Sequence, residues 1–194
     1  MKNTIIFATH NTHKAQEVNA MLPSLKVISL QEINFLEDIE ETGSTFKENA
    51  AIKAETIYNK VRQDVFADDS GLVIPALDGA PGIYSARYAG TGNAIDNIHK
   101  VLKELENIND RRAYFITVIC YITGGKKHYF EGKVHGTILQ EIEGEGGFGY
   151  DPIFRPDGYN KSFASFTKEE KNAISHRSKA IKQFYNYIVS KFEN

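Results

Sequence analysis

Two short acidic stretches of the chain suggest binding of a metal ion. They are Glu40-Glu41 and Asp68-Asp69. Magnesium typically takes one or two carboxylate ligands from a protein and completes its shell with substrate phosphates and water. Because successive strand residues point to opposite faces, we expect Asp68 and Asp69 to have different roles. The alternatives are a solvated loop for the glutamates and an Asx turn for the aspartates.

A polar turn after the first apolar run could bind phosphate. Its residues are Thr9, His10, Asn11, Thr12, His13 and Lys14. Backbone N–H groups and the dipole at a helix start favour an anion, and Lys14 adds a positive charge. The turn lacks the glycines and the ending of a P-loop, so a simple capped helix start is the alternative. No third ligand at a recognisable spacing accompanies His10 and His13, so structural zinc is not predicted.

A glycine-rich loop in the last third of the chain could bind a nucleobase. It contains Phe148, Gly149, Tyr150 and Asp151. Aromatic side chains stack on bases, and glycine lets a ligand approach the backbone closely. The alternative is a hairpin in which the aromatic side chains are packing anchors.

Three side chains that can carry positive charge follow this loop. They are Lys171, His176 and Arg177. On one unbroken helix, with about 100° per residue, they could not share a face. We therefore predict a helix break near Ser175, which would cap the last helix and could bring all three to one ligand. The alternative is a solvated basic face on an amphipathic helix.

The elements that position these residues follow an α/β pattern. Runs rich in β-branched and aromatic residues predict strands, and apolar residues three and four apart predict helices. The predicted strands are 4–8, 26–29, one that ends at Asp68-Asp69, and the extended runs 112–123, 127–134 and 136–140. The predicted helices are 14–22, 45–61, 93–106 and a carboxy-terminal helix that begins after Ser175.

The composition indicates one globular domain. The chain has 194 residues, of which 41% are hydrophobic and 25% charged. Its net charge of -2 provides no broad positive surface for a nucleic-acid polymer. The single cysteine, Cys120, excludes an internal disulfide framework. The apolar run 5–8 is too short for a signal peptide or a membrane span, so we expect a cytoplasmic protein without a membrane partner.

Taken together and in this order, these segments resemble the inosine triphosphate pyrophosphatase family. The matching blocks are Ala8-Thr9-x-Asn11-x-x-Lys14, Glu41-Thr42-Gly43-x-Thr45-Phe46-x-Glu48-Asn49-Ala50, Ala67-Asp68-Asp69-Ser70-Gly71-Leu72, Gly79-Ala80-Pro81-Gly82-Ile83-Tyr84-Ser85-Ala86-Arg87-Tyr88, Gly147-Phe148-Gly149-Tyr150-Asp151-Pro152-Ile153-Phe154 and Glu170-Lys171-x-Ala173-Ile174-Ser175-His176-Arg177. The blocks cover essentially the whole chain.

The resemblance implies a fold and an activity. The implied fold is an elongated mixed β-sheet flanked by helices, with two lobes around a central active-site cleft, as a single domain over residues 1–194. The implied activity is magnesium-dependent hydrolysis of ITP, dITP and XTP to the monophosphate and pyrophosphate, which keeps these nucleotides out of DNA and RNA. The resemblance also implies a homodimer.

The resemblance also implies a role for each candidate residue. Asp69 is implied as the catalytic carboxylate, and Glu40 with Asp69 as the Mg²⁺ site, supported by Asp68 and Glu41. The implied triphosphate pocket comprises Thr9, His10, Asn11, Thr12, His13, Lys14 and Ser70. The implied base pocket comprises Phe148, Gly149, Tyr150, Asp151, Lys171, His176 and Arg177. The family commonly has glycine where His10 and His13 stand, so this chain departs from the pattern in the phosphate turn.

Two other functions are compatible with the residues. One is a related pyrophosphatase for modified pyrimidine nucleotides, and the other is a nucleotide-binding module without catalysis. In a protein that only binds the nucleotide, several carboxylates beside the triphosphate would repel it. This argues against the nucleotide-binding module. A preference for inosine over adenosine has a physical basis, since Lys171 and Arg177 can only donate hydrogen bonds and inosine presents a carbonyl acceptor at position 6.

Overall fold

The structure is a computed structural model, and it describes residues 4–192. In chain order, the strands and α-helices of this part are β1 (Thr4–Phe7), α1 (Thr12–Met21), β2 (Lys26–Ser29), α2 (Phe46–Val61), β3 (Val65–Val73), α3 (Ala94–Glu104), β4 (Arg112–Thr123), β5 (Lys126–Ile138), β6 (Phe154–Pro156), α4 (Lys168–Ile174) and α5 (His176–Phe192). Short 3₁₀-helices lie at Pro75–Leu77, Gly82–Arg87, Asp151–Ile153 and Phe163–Ser165.

The strands of the described residues form one mixed sheet. Its order is β2-β1-β3-β4-β5-β6. Strand β1 is parallel to both β2 and β3, whereas β5 and β6 are antiparallel. Helices flank this sheet, so the predicted α/β class with a mixed sheet is confirmed. No helix in residues 4–192 is long and apolar enough to cross a membrane.

The chain divides into two compact units. The first unit comprises Met1–Asp69, Thr117–Gly132 and Ser178–Asn194, and the second comprises Ser70–Ile116 and Lys133–Arg177. The boundary between them therefore falls between Asp69 and Ser70, in the middle of β3.

The first unit has a separate apolar cluster on each face of its strands. Ile6 of β1 packs in a cluster with Ala54 and Ile57 of α2. The neighbouring Phe7 belongs to the other cluster, which includes Phe184 of α5. This alternation follows the two-residue period of a strand, and it determines on which side each polar residue of a strand lies.

The second unit is built around one apolar cluster. Leu72 and Ile74 of β3 pack there with Ile98 and Val101 of α3. The rings of Phe154 and Phe163 pack against that of Phe115 on β4, with centroids 4.6 and 6.2 Å from it. Phe154 and Phe163 lie between the glycine-rich loop and α4, so the cluster anchors the segment that joins them.

Two strand predictions differ from the structure. The sequence predicts that a strand ends at Asp68-Asp69, but β3 continues to Val73. It also predicts separate runs 127–134 and 136–140, whereas β5 is a single strand through Gly136. A side chain at Gly136 would collide with the Arg155 carbonyl and the Phe154 ring, so this glycine permits close approach of β6 rather than a break.

Candidate active site

Asp69 is a buried carboxylate in the middle of β3. Its residue is 6% exposed, and its Oδ2 accepts a hydrogen bond of 3.2 Å from Nδ2 of Asn49 on α2. Loss of solvent raises its pKa to about 6; the charges of Lys53 and Lys14 oppose that shift, and the charge of Glu41 adds to it. A carboxyl group with a pKa near neutrality can serve as a general base.

Asp68 lies on the opposite face of the same strand. It is 2% exposed, and its carboxylate forms an ion pair of 3.1 Å with Nζ of Lys14 on α1. The prediction that Asp68 and Asp69 point to opposite faces is therefore confirmed, because one contacts α1 and the other α2. The strand alternation that separates the two apolar clusters also separates these two acids.

The two glutamates before α2 differ in their environment. Glu40 is exposed, whereas Glu41 is half-buried and its Oε2 lies 3.2 Å from Nζ of Lys53. Glu41 is the glutamate whose charge acts on the pKa of Asp69. The contacts of Asn49 with Asp69 and of Lys53 with Glu41 were not predicted from the sequence, although the spacing of four residues places Asn49 and Lys53 on one face of α2.

Glu40, Glu41 and Asp69, which we call the acidic group, offer carboxylate oxygens, the ligand type that magnesium prefers. No group of three or more His, Cys, Asp or Glu side chains in residues 4–192 is arranged to hold a metal ion. A closed protein cage of the kind that structural zinc requires is therefore missing from the described chain. A pair of carboxylates, completed by phosphate oxygens and water, is the arrangement typical of magnesium.

The predicted phosphate turn is a capped helix start. Asn11 is the N-cap of α1, and its Oδ1 accepts from the backbone N–H of Lys14 at 3.1 Å. Oγ1 of Thr9 accepts from the N–H of Asn11 at 3.0 Å. Thr12 and His13 occupy the first exposed positions of α1. The capping predicted as the alternative is present, and phosphate binding at this turn stays a prediction.

His10 contacts the segment that leads to the two glutamates. Its ring is stacked near Phe35, with centroids 6.2 Å apart, and its Nε2 lies 3.0 Å from the carbonyl oxygen of Glu37. A carbonyl oxygen only accepts, so Nε2 must carry the hydrogen in this contact. The side chain of His10 thus links the turn before α1 to the chain before Glu40.

In the second unit, two buried cations lie beside one aromatic ring. Nζ of Lys171 is 4.5 Å from the ring centroid of Phe148, and the guanidinium carbon of Arg177 is 5.7 Å from it. Lys171 is 6% exposed and Arg177 is 1% exposed. Nη2 of Arg177 also donates to Oγ of Ser70 at 3.2 Å. The predicted break at Ser175 is confirmed, since this residue is extended between α4 and α5.

Asp151 organises the loop that carries Phe148. Its Oδ2 accepts from Nζ of Lys171 at 2.7 Å and from the N–H of Phe148 at 2.9 Å. Gly147 has a φ of 69°, and a side chain there would collide with the carboxylate of Asp151. A residue without a side chain is therefore required at this position.

Two residues of the predicted base pocket, Tyr150 and His176, are buried and contact other residues of the second unit. Tyr150 is 5% exposed, and its hydroxyl donates to the carbonyl oxygen of Ser85 at 2.7 Å. Its burial raises the pKa of the phenol above the ordinary range. His176 is 5% exposed and stacks on Phe115, with centroids 4.9 Å apart. Gly149, which has a φ of 60°, lies between Phe148 and Tyr150 in the loop.

With this geometry established, comparison with known proteins identifies the family. The model of the Ham1 family matches residues 5–187 of the chain. The chain belongs to the Ham1 family. The family membership predicted from the sequence blocks is thereby confirmed.

This Ham1-family protein is similar to relatives over nearly its full length. A dITP/XTP pyrophosphatase of Flavobacterium johnsoniae is 46% identical, over 96% of this chain and 98% of that protein. A dITP/XTP pyrophosphatase of Thermoanaerobacter pseudethanolicus is also 46% identical, over 97% and 98%. The Ham1 protein structure from Staphylococcus aureus aligns with a TM-score of 0.89 at 42% identity, covering 97% of this chain and 100% of that one. The Coxiella burnetii HAM1 structure aligns with a TM-score of 0.90 at 39% identity, covering 97% and 99%.

The burial of Asp69 predicts that its charge destabilises the metal-free protein. The folded-state pKa of about 6 lies above the ordinary value of 3.8, so the folded protein binds this proton more tightly than the unfolded chain does. The penalty is therefore absent at pH values below about 4 and fully present at values above about 6. Asp69→Asn should raise the free energy of unfolding by roughly 1–3 kcal/mol at pH 7.5, with the gain vanishing toward pH 4.

Urea unfolding in metal-free buffer at both pH values measures this effect. Asp157→Asn, at an exposed aspartate, is the control and should change the unfolding free energy little at either pH. Equal stability of wild type and Asp69→Asn at pH 7.5, or a gain that does not depend on pH, would contradict the burial penalty.

Proposed function

We propose that this protein hydrolyses deaminated purine nucleoside triphosphates, such as ITP, dITP and XTP, to the nucleoside monophosphate and pyrophosphate. One observation carries the proposal: relatives named dITP/XTP pyrophosphatase align with 96–97% of the chain at 46% identity. The similarity therefore extends through both units. We further propose that the protein acts with magnesium and as a homodimer, as the sequence blocks imply, and that it acts in the cytoplasm.

The metal site is proposed at the acidic group of the first unit. Asp69 is one ligand, and Glu40 is the second ligand that the sequence blocks imply. The electrostatic effect of Glu41 on Asp69 favours a supporting or direct role for Glu41 as well. When bound, magnesium would neutralise charge on the phosphate oxygens. Asp68 is proposed to act through its ion pair, which fixes Lys14 at the start of α1.

Asp69 is proposed to be the general base. Without a bound metal ion its pKa is about 6, and magnesium would favour the ionised form further, so Asp69 is a carboxylate at neutral pH and can accept a proton. It would remove a proton from a water molecule whose oxygen forms a bond to the α-phosphorus. The bond from that phosphorus to the oxygen bridging to the β-phosphorus would then break. Its electron pair would leave with pyrophosphate, and the product nucleotide would be the monophosphate.

The start of α1 is proposed to contact the triphosphate. Backbone N–H groups at a helix start and the charge of Lys14 favour phosphate oxygens. His10, Asn11, Thr12 and His13 are exposed at or next to this helix start, and Thr9 is half-buried there. Ser70 follows the general base directly along β3, and its hydroxyl is proposed as a further contact to the phosphates.

The base is proposed to bind beside Phe148 in the second unit. Stacking on an aromatic ring holds any base, so selectivity needs hydrogen bonds. Lys171 and Arg177 are donors only, and they match the carbonyl at position 6 of inosine or xanthosine. The amino group of adenosine at that position would leave buried donors without an acceptor, and such a mismatch discriminates by about 10⁴ or more.

The remaining base-pocket residues are proposed to support this contact. Asp151 holds the ammonium group of Lys171 and the backbone of Phe148. Tyr150 and His176 anchor the two segments of the pocket in the core of the second unit. Gly149 leaves the backbone open between the two aromatic residues.

A panel of triphosphates tests the proposed reaction. With Mg²⁺, ITP and XTP should yield pyrophosphate with a kcat/KM well above that for ATP or for modified pyrimidine triphosphates. Asp69→Asn should lower kcat by at least about 10³-fold, because it keeps the shape of the side chain but removes the base. Orthophosphate as the sole product, turnover without a divalent cation, or an active Asp69→Asn variant would each contradict a part of the proposal.

A second prediction concerns the choice of base. Lys171→Met removes a buried donor, so the ratio of kcat/KM for ITP to that for ATP should fall by about 10- to 100-fold. Steady-state kinetics with both substrates measures this ratio. Lys168→Met, at an exposed lysine of the same helix, is the matched control and should leave the ratio unchanged. An unchanged ratio in a folded Lys171→Met variant would remove Lys171 from the base pocket.

A further inference from the structure

Asn49 is a completely buried amide that contacts two parts of the acidic group. Its residue is 0% exposed and lies in the first turn of α2. Nδ2 donates to Oδ2 of Asp69 at 3.2 Å, and Oδ1 accepts from the backbone N–H of Gly43 at 2.8 Å. One side chain therefore joins Asp69 to the segment that carries Glu40 and Glu41.

Gly43 is packed tightly against this amide. A β-carbon at Gly43 would lie 2.7 Å from Oδ1 of Asn49 and 2.7 Å from the β-carbon of Glu48. Both distances are far inside van der Waals contact, so a side chain at this position would displace either the segment or the helix start. The segment is held further by Glu48, whose Oε2 accepts from the N–H and the hydroxyl of Ser44 at 2.7 and 2.8 Å.

Asn49 thus forms a hydrogen-bonded bridge between Asp69 and Gly43, and this bridge requires an asparagine. An amide offers a donor and an acceptor in fixed relative positions, whereas aspartate offers only acceptors and leucine offers neither. Lys53, one helical turn later on the same face of α2, contacts Glu41 at 3.2 Å. The face of α2 thus holds both carboxylates of the group, Asp69 through Asn49 and Glu41 through Lys53.

We propose that Asn49 is a positioning residue for the reaction. It fixes the orientation of the Asp69 carboxylate and, through Gly43, the place of the glutamate segment, so that both sets of oxygens meet the same cation. It acts through the Asp69 carboxylate and the glutamate segment, and its proposed role is to position them. The inference rests on the proposed role of Asp69. Hydrogen-bond partners of ligating groups typically contribute 10- to 100-fold to metal affinity or activity.

Asn49→Leu tests the bridge, since it approximates the shape of asparagine and removes both hydrogen bonds. Mn²⁺ alone is the probe, and the electron paramagnetic resonance signal of free Mn²⁺ reports its binding without nucleotide. The Kd for Mn²⁺ should rise about 10-fold or more, and kcat for ITP should fall by about 10- to 100-fold. The preference for ITP over ATP should stay unchanged, because the base contacts lie elsewhere.

Asn97→Leu is the matched control. Asn97 is a 3% exposed asparagine on α3, where it binds the N–H of Ala89 and the carbonyl of Ala86. The variant also loses buried hydrogen bonds and should be destabilised, but it should bind Mn²⁺ as the wild type does. A similar loss of Mn²⁺ affinity in Asn97→Leu would show that general destabilisation explains the effect, and it would overturn the inference.

Gly43→Ala alters the other end of the same bridge, where Gly43 binds Oδ1 of Asn49. Its β-carbon would displace the segment from Asn49, so it should weaken Mn²⁺ binding and lower kcat in the same direction. This variant decides the question if Asn49→Leu does not fold. Wild-type Mn²⁺ affinity and kcat in either folded variant would overturn the inference, provided that the wild type is active and Asp69→Asn is not. A wild type that releases no pyrophosphate from ITP would instead contradict the proposed function.

Discussion

A carboxylate inside a protein loses the water that stabilises its charge, and Asp69 is in this position in the middle of β3. Desolvation is the main influence on its pKa, which is raised to about 6. The groups around Asp69 offset this loss, since Asn49 donates a hydrogen bond and the charges of Lys53 and Lys14 favour the ionised form. The arrangement of the first unit follows from this constraint: α2 brings Asn49 and Lys53 to one side of the strand, and α1 brings Lys14 to the other.

The second unit also buries charged side chains, but these carry positive charge. Lys171 and Arg177 are buried beside Phe148, and Asp151 compensates the charge of Lys171. A buried ion pair of this kind is weak support for stability, because desolvation consumes most of the attraction. The same Asp151 also accepts from the N–H of Phe148, so the ion pair fixes the position of α4 against the loop. The break at Ser175 makes the pair of cations possible, since it separates Lys171 from Arg177 onto two helices.

Much of the fold was accessible from the sequence because its elements obey simple periodicities. The apolar runs marked β1, β2 and β4, and the spacing of Ala50, Ala54 and Ile57 marked α2. The period of two along β3 also predicted that Asp68 and Asp69 diverge. The prediction of separate runs 127–134 and 136–140 was wrong because β5 continues through Gly136, where close approach of β6 requires a glycine. A close contact between residues that are far apart in the sequence leaves no pattern in the neighbouring residues.

The site was only partly predictable for the same reason. The acidic stretches and the cations were identified by residue type, but the neighbours of Asp69 were not. Asn49 and Lys53 lie in an ordinary helical sequence, and only the fold shows that the first reaches Asp69 and the second Glu41. Conversely, Tyr150 and His176 have side chains suited to a base, yet their rings and polar groups contact the core of the second unit.

The proposed reaction begins with attack of water on the α-phosphorus of the nucleotide. Hydrolysis of ITP in ¹⁸O-labelled water, followed by mass spectrometry of both products, tests it most directly. Attack on the α-phosphorus should give one labelled oxygen in the inosine monophosphate and none in the pyrophosphate. Label in the pyrophosphate would place the attack on the β-phosphorus and contradict the proposed reaction.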